Sequence, residues 1–161
     1  MYVEISGRRT GKTTRLRNEL KNYLEANENN KAVILCPLQS MIAYNYKDLI
    51  SKYKNRLLTN YSFPKKSLED YRWFYDEFDR IIDRKYWYID NDGYYCTTPV
   101  YLRTAIDIVD WKQNKRYDFL LNIIDNNNYI YNKYVCADVD KEWKLALSTE
   151  EYNTEVNGDW I

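Results

Sequence analysis

Tyr2-Val3-Glu4-Ile5-Ser6-Gly7-Arg8-Arg9-Thr10-Gly11-Lys12-Thr13-Thr14-Arg15 is the stretch whose reading decides the fold. Val3 and Ile5 alternate as on a short strand, and a turn bearing Gly7 and Gly11 follows at once. Behind it Leu16, Leu20 and Leu24 repeat every four residues, the spacing of one helical face. Strand, glycine-bearing turn, Lys-Thr and helix form the layout of a phosphate-binding loop. Gly11 lets the backbone bring N–H groups toward phosphate oxygens, and a helix N-terminus adds partial positive charge. Lys12, read as a loop cation, reaches the outer phosphates, and the Thr13 hydroxyl is a Mg²⁺ ligand. The full pattern places Gly at position 6, where this chain has Ser6, a small residue compatible with turns.

Working outward, 161 residues make one domain, 1–161. Charged residues reach 30% and mean hydropathy is −0.75, yet there are 18 Tyr and 5 Trp. Such aromatics build a core whose hydroxyl and indole N–H groups meet polar partners at its edge. No segment is long and apolar enough to span a bilayer, and no charged-then-apolar leader precedes the loop. The expectation is a cytosolic protein without a membrane partner. Cys36, Cys96 and Cys136 show no close spacing, which fits reduced thiols rather than a zinc site. Histidine is absent, which excludes Cys–His and Ser–His–Asp catalysis. Residues 1–66 hold thirteen Lys and Arg against five acids, and residues 67–161 hold eleven against nineteen. That segregation fits a side facing nucleotide or nucleic acid, head-to-tail packing between subunits, or simply a solvated surface.

Along the chain, Asn27–Asn30 is a polar break, and Ala32–Cys36 is a continuous apolar run as in a buried parallel strand. Pro37 stops it, and Ile42, Tyr46, Leu49, Ile50 and Tyr53 share one helical face. The order βαβα predicts an α/β protein with a mainly parallel sheet. Leu57–Tyr61 reads as a short strand and 63–66 as a loop. Tyr71–Asp79 holds an aromatic run that ends in Asp76-Glu77. An acid at such a strand end suits the Mg²⁺ shell, and the next acid suits polarising water. Asp76 is thus the metal acid and Glu77 the base. Its rival, Tyr86–Asp90, lacks a following Glu and runs into the turn Asn91-Asp92-Gly93. The Tyr2–Ile5 strand is expected to be central, with Tyr71–Tyr75 close beside it, so that Asp76 can approach Thr13.

Gly93–Pro99 reads as a further strand carrying Thr97 and Thr98. Leu102, Ile106 and Val109 mark a helix, Phe119–Ile124 another, and 129–139 a strand-like stretch. Ser148-Thr149-Glu150-Glu151-Tyr152 reads as a capped helix start, ended by Gly158.

With these pieces in place, the chain resembles the ATPase domain of phage terminase large subunits. Ser6–Thr14 looks like that family's Arg-containing Walker A, with Arg8 at the place of its Arg. Leu35-Cys36-Pro37 before a helix is similar to its helicase-like segment. Tyr75-Asp76-Glu77 matches Walker B with the catalytic Glu, and Thr97-Thr98-Pro99 looks like its coupling motif. The stretch 147–160 is similar to the close of that domain, and the family's nuclease domain has no counterpart here. The resemblance implies an ASCE/RecA-like P-loop NTPase, a three-layer sandwich that hydrolyses ATP with Mg²⁺. It assigns phosphate binding to Ser6, Gly7, Arg8, Arg9, Thr10, Gly11, Lys12, Thr13 and Thr14. Thr13 and Asp76 then hold the metal, while Glu77, Lys12 and Arg8 act in catalysis and Thr97 and Thr98 in coupling. Implied partners are nucleic acid, double-stranded DNA above all, and a homo-oligomer or an assembly with other viral motor and capsid proteins.

Two other functions remain open on the sequence. A P-loop nucleoside or nucleotide kinase would suit the length, with Arg80 and Arg84, four apart, as a basic lid. A catalytically idle, truncated ATPase acting as a binding protein is the other.

Overall fold

The computed structural model describes residues 1–62, 68–98, 119–120, 122–123, 130–131 and 146–153. The loop expected at 63–66, the helix marked by Leu102, Ile106 and Val109, most of 129–139, Pro99, Cys136 and Gly158 lie outside the described residues.

Among the described residues six strands form one sheet: β1 (Tyr2–Ile5), β2 (Lys31–Leu35), β3 (Leu57–Thr59), β4 (Tyr71–Asp76), β5 (Tyr94–Thr97) and β6 (Ile130–Tyr131). Their order is β3-β2-β4-β5-β1-β6, and every pairing is parallel. Helix α1 (Lys12–Ala26) follows β1, and α2 (Gln39–Asn45) and α3 (Lys47–Lys52) follow β2. The α/β class with a parallel sheet is as the βαβα pattern requires. β1 is internal, between β5 and β6. The acid strand β4, however, does not adjoin it, because β5 is interposed. Among the described residues no helix is long and apolar enough to cross a membrane.

The two faces of the sheet are packed by different chemistry. Leu16, Leu20 and Leu24 of α1, with Ile42, Tyr46 and Leu49, cover Ala32, Ile34, Phe74, Tyr94 and Cys96. Burying each Leu is worth roughly 1.5–3 kcal/mol, so this stripe alone anchors α1. The opposite face is aromatic. Trp73, Tyr75 and Tyr95 pack there against Val3, Ile5, Phe78, Tyr86 and Phe119. Tyr75 and Tyr95 stack with ring centroids 4.5 Å apart. Part of that face is covered by irregular chain, whose carbonyls need donors. Tyr75 OH lies 2.9 Å from Tyr86 O and 2.6 Å from Tyr88 O, and Trp87 Nε1 donates to Ile81 O at 2.9 Å. Leucine could fill the space but not make those bonds.

The single helical face expected from Ile42 to Tyr53 is two helices, broken at Tyr46 (φ −129°, ψ 1°). The break has a tertiary cause: the fully buried Tyr46 reaches down to Asp76. The short helix Thr149–Tyr152 carries the expected cap, a capping box between Ser148 and Glu151.

Candidate functional site

The segment from Ser6 to Gly11 joins the end of β1 to the start of α1 at the C-terminal edge of the sheet, where open α/β sheets bind ligands. Two of its residues hold left-handed backbone, Arg9 at φ 57° and Gly11 at φ 82°. Gly11 is needed twice over. An L side chain is strained at that φ, and a Cβ would sit 3.2 Å from Arg15 Nη1. Thr10 Oγ1 closes the turn from inside, 2.8 Å from Gly7 O and 3.0 Å from Ser6 Oγ. Ser6 Oγ in turn donates to Glu4 Oε1 at 2.9 Å.

Lys12 opens α1 and is buried, not an exposed loop cation. The reason is its partner: Lys12 Nζ lies 3.1 Å from Glu77 Oε1. Thr13 Oγ1, one residue on, donates to Asp76 Oδ1 at 3.2 Å. The interposed β5 therefore does not keep the acids from the loop, and the purpose for which Tyr71–Tyr75 was expected beside β1 is still met.

Asp76 is fully buried. Besides Thr13 it accepts from Tyr46 OH at 3.0 Å and from Cys96 Sγ at 3.4 Å. All three are neutral donors. Desolvation first, and the neighbouring Glu77 second, push its carboxyl above the usual Asp range. The Cys96 thiol and the Tyr46 phenol are likewise pushed up by burial and by Asp76, so both remain protonated donors. A hard divalent cation fits this donor set, since Mg²⁺ takes one or two protein oxygens and completes its shell with water and phosphate.

Glu77 occupies left-handed backbone (φ 56°, ψ 58°), a conformation that costs a non-glycine residue about 1–2 kcal/mol. The strain turns its side chain toward the end of β5. Thr98 N donates to Oε2 at 3.1 Å and Thr98 Oγ1 to Oε1 at 3.1 Å. Thr97 Oγ1, 3.2 Å from Glu77 Oε2, shares its one hydrogen with Asp79 Oδ1. The two hydroxyls read from the sequence thus hold the acid read from the sequence.

No protein-family model, curated protein or solved structure matches this chain.

Of the expected site residues, the structure gathers Ser6, Gly7, Thr10, Gly11, Lys12, Thr13, Asp76, Glu77, Thr97 and Thr98 into one contact network. Arg8 is half-buried, while Arg9 and Thr14 are exposed at the loop and the first helical turn. The rival acid Asp90 lies elsewhere, accepting from Trp73 N at 2.8 Å and closing the turn to Asp92 N. Arg80 and Arg84 fall on two separate 3₁₀ turns, Phe78–Arg80 and Arg84–Tyr86, so the shared helical face behind the lid reading is absent. Sequence reasoning missed Glu4, Arg15, Tyr46, Asp79, Tyr94 and Cys96. Glu4 carried a signal, being a charge between Val3 and Ile5 on an apolar strand. Asp79 was a third acid in the Asp76–Asp79 run. Tyr46 and Cys96 carried none, because each reads as ordinary core.

Proposed function

We propose that this chain is a Mg²⁺-dependent P-loop nucleoside triphosphatase of the terminase or helicase-like type. In this reading it hydrolyses ATP and couples that reaction to double-stranded DNA as part of an oligomer or viral motor assembly. One observation carries the reading. Lys12 and Thr13, at the start of α1, meet Glu77 and Asp76, more than sixty residues later, at 3.1 and 3.2 Å. The interposed β5, which brings Thr97 and Thr98 onto Glu77, is compatible with the ASCE/RecA-like class that the sequence suggested.

The loop N–H groups and Lys12 bind the phosphates. Thr13 and Asp76 would hold Mg²⁺, which supplies charge neutralisation on the phosphate oxygens. When Lys12 turns to the outer phosphate it leaves Glu77 Oε1, while Thr97 and Thr98 still hold the carboxylate in place. Glu77 then accepts a proton from water as the water oxygen bonds to the terminal phosphorus. The bond from that phosphorus to the bridging oxygen breaks, giving a nucleoside diphosphate and inorganic phosphate. Arg8 is assigned to the charge that develops on the transferred group. Glu77, held by three donors from the end of β5, supports water rather than a nucleoside as the acceptor.

The test is phosphate release from MgATP with and without double-stranded DNA, alongside phosphoryl transfer to nucleosides. Hydrolysis stimulated by DNA is expected. Lys12→Ala should abolish detectable MgATP binding in calorimetry, and it leaves Glu77 without its buried cation. Wild-type affinity in that variant would refute the phosphate-loop reading. Transfer to nucleosides would install the kinase, and binding without turnover the idle binding protein.

A further inference from the structure

Beneath the phosphate loop lies a polar cluster centred on a buried carboxylate that takes no step in the chemistry above. Glu4, at the centre of β1, is 0% exposed. Its carboxylate accepts from Arg15 Nε at 3.2 Å, from Arg15 Nη2, from Tyr94 OH at 3.0 Å and from Ser6 Oγ at 2.9 Å. Arg15 sits one turn into α1, where its own N–H donates to Gly11 O at 2.9 Å. The remaining arm of its guanidinium reaches back under the loop, with Nη1 donating to Thr10 O at 2.7 Å.

We propose that Glu4, Arg15 and Ser6 are positioning residues that hold the loop in its phosphate-binding shape before any nucleotide arrives. The inference rests on the phosphate-loop reading and explains how that loop is built. In a planar trans peptide the carbonyl and the following N–H point in opposite directions. Arg15 holds the Thr10 carbonyl inward, so the Gly11 N–H is turned outward. Thr10 Oγ1 does the same to the Gly7 carbonyl, which turns the Arg8 N–H outward. Arg9, a non-glycine residue in left-handed backbone, makes this a loop that persists only if its surroundings over-determine it. The brace is that surrounding. It also accounts for Ser6 where the usual pattern has Gly. The hydroxyl is a strut, giving a bond to Glu4 and sharing the one Thr10 hydroxyl hydrogen with Gly7 O. Lysine could not replace Arg15, because one ammonium cannot span a carboxylate and a carbonyl in the fork geometry of a guanidinium.

Arg15→Lys keeps the charge beside Glu4 but removes the bond to Thr10 O, and Ser6→Ala removes only the strut. For each, hydrogen exchange of the amides of residues 7–12 is measured in the nucleotide-free protein, with MgATP affinity and the KM and kcat of hydrolysis. Exchange in that segment should accelerate about tenfold while strand amides stay protected. MgATP affinity should fall by about tenfold to a hundredfold, the value of a hydrogen bond involving a charged group, with the loss on KM rather than kcat. If Arg15→Lys does not fold, Ser6→Ala carries the test alone. Unchanged exchange at 7–12 in a folded variant overturns the brace, whatever the nucleotide does. Accelerated exchange in a protein that binds no MgATP even as wild type leaves the brace standing and refutes the phosphate reading.

Discussion

Glu4 and Asp76 are both fully buried acids near the same loop, yet their surroundings are opposite. Glu4 meets a guanidinium on two nitrogens, together with a phenol and a hydroxyl. Asp76 meets a hydroxyl, a phenol and a thiol. Among the described residues no cation forms an ion pair with it, and Lys12, paired with Glu77, is the weakest of the influences on its carboxyl. A buried charge that is matched by the fold serves the fold. One left with neutral donors is costly to ionise and is repaid only when a cation arrives. The lower cluster therefore reads as structure and the upper one as chemistry, and three substitutions press on that division.

The largest effect belongs to the upper cluster. Glu77→Gln keeps the size and hydrogen-bonding shape of the side chain but removes the base, so hydrolysis should fall by roughly 10²–10⁴-fold while MgATP affinity persists. Steady-state phosphate release beside calorimetry checks it. An undiminished rate would move the base elsewhere.

Glu4→Gln comes next and should act on stability. It leaves Arg15 facing a neutral amide in a largely buried site, and breaking a buried pair costs roughly 3–5 kcal/mol. The Arg15 side chain is 30% exposed, so water offsets part of this, and about 3 kcal/mol is expected in denaturant unfolding. A variant as stable as wild type would erase the contrast between the two acids.

The smallest effect has the reverse sign. Asp76 has its carboxyl raised by burial, so the native state holds the proton more tightly than the unfolded chain does. Its ionisation costs stability as pH rises through the folded value, and that cost is absent below the unfolded value. Asp76→Asn should therefore stabilise the metal-free protein at neutral pH by about 1 kcal/mol, with the gain fading in acid. The same variant should weaken Mg²⁺-dependent nucleotide binding. Thermal unfolding from pH 3 to 8, with and without Mg²⁺, separates the two effects, and a destabilised variant at pH 7 would contradict the assignment.

Much of the site was legible because its signals are local. Gly11 is marked by a φ that favours glycine, Leu16, Leu20 and Leu24 by their period, and Asp76-Glu77 by their place at the end of an aromatic strand. The helix across 42–53 was misread as one piece, since periodicity cannot register that Tyr46 is drawn onto an acid thirty residues later. Lys12 was misread as exposed because burial of a cation depends on a partner the local sequence does not reveal.

The sequence by itself determined the strand–loop–helix unit, the parallel α/β class and the residue types gathered between β1 and α1. Each of these follows from short-range sterics and hydrophobic period, which a few neighbouring residues specify. Tertiary structure alone decided that β5 lies between β1 and β4, so that Thr97 and Thr98 grip Glu77. It also decided that Arg15 and Tyr94 both serve Glu4, and that Asp76 is met, among the described residues, by neutral donors. Those outcomes turn on desolvation and on pairings across 11 to 90 residues of chain, and no local pattern encodes which buried charge will find its match.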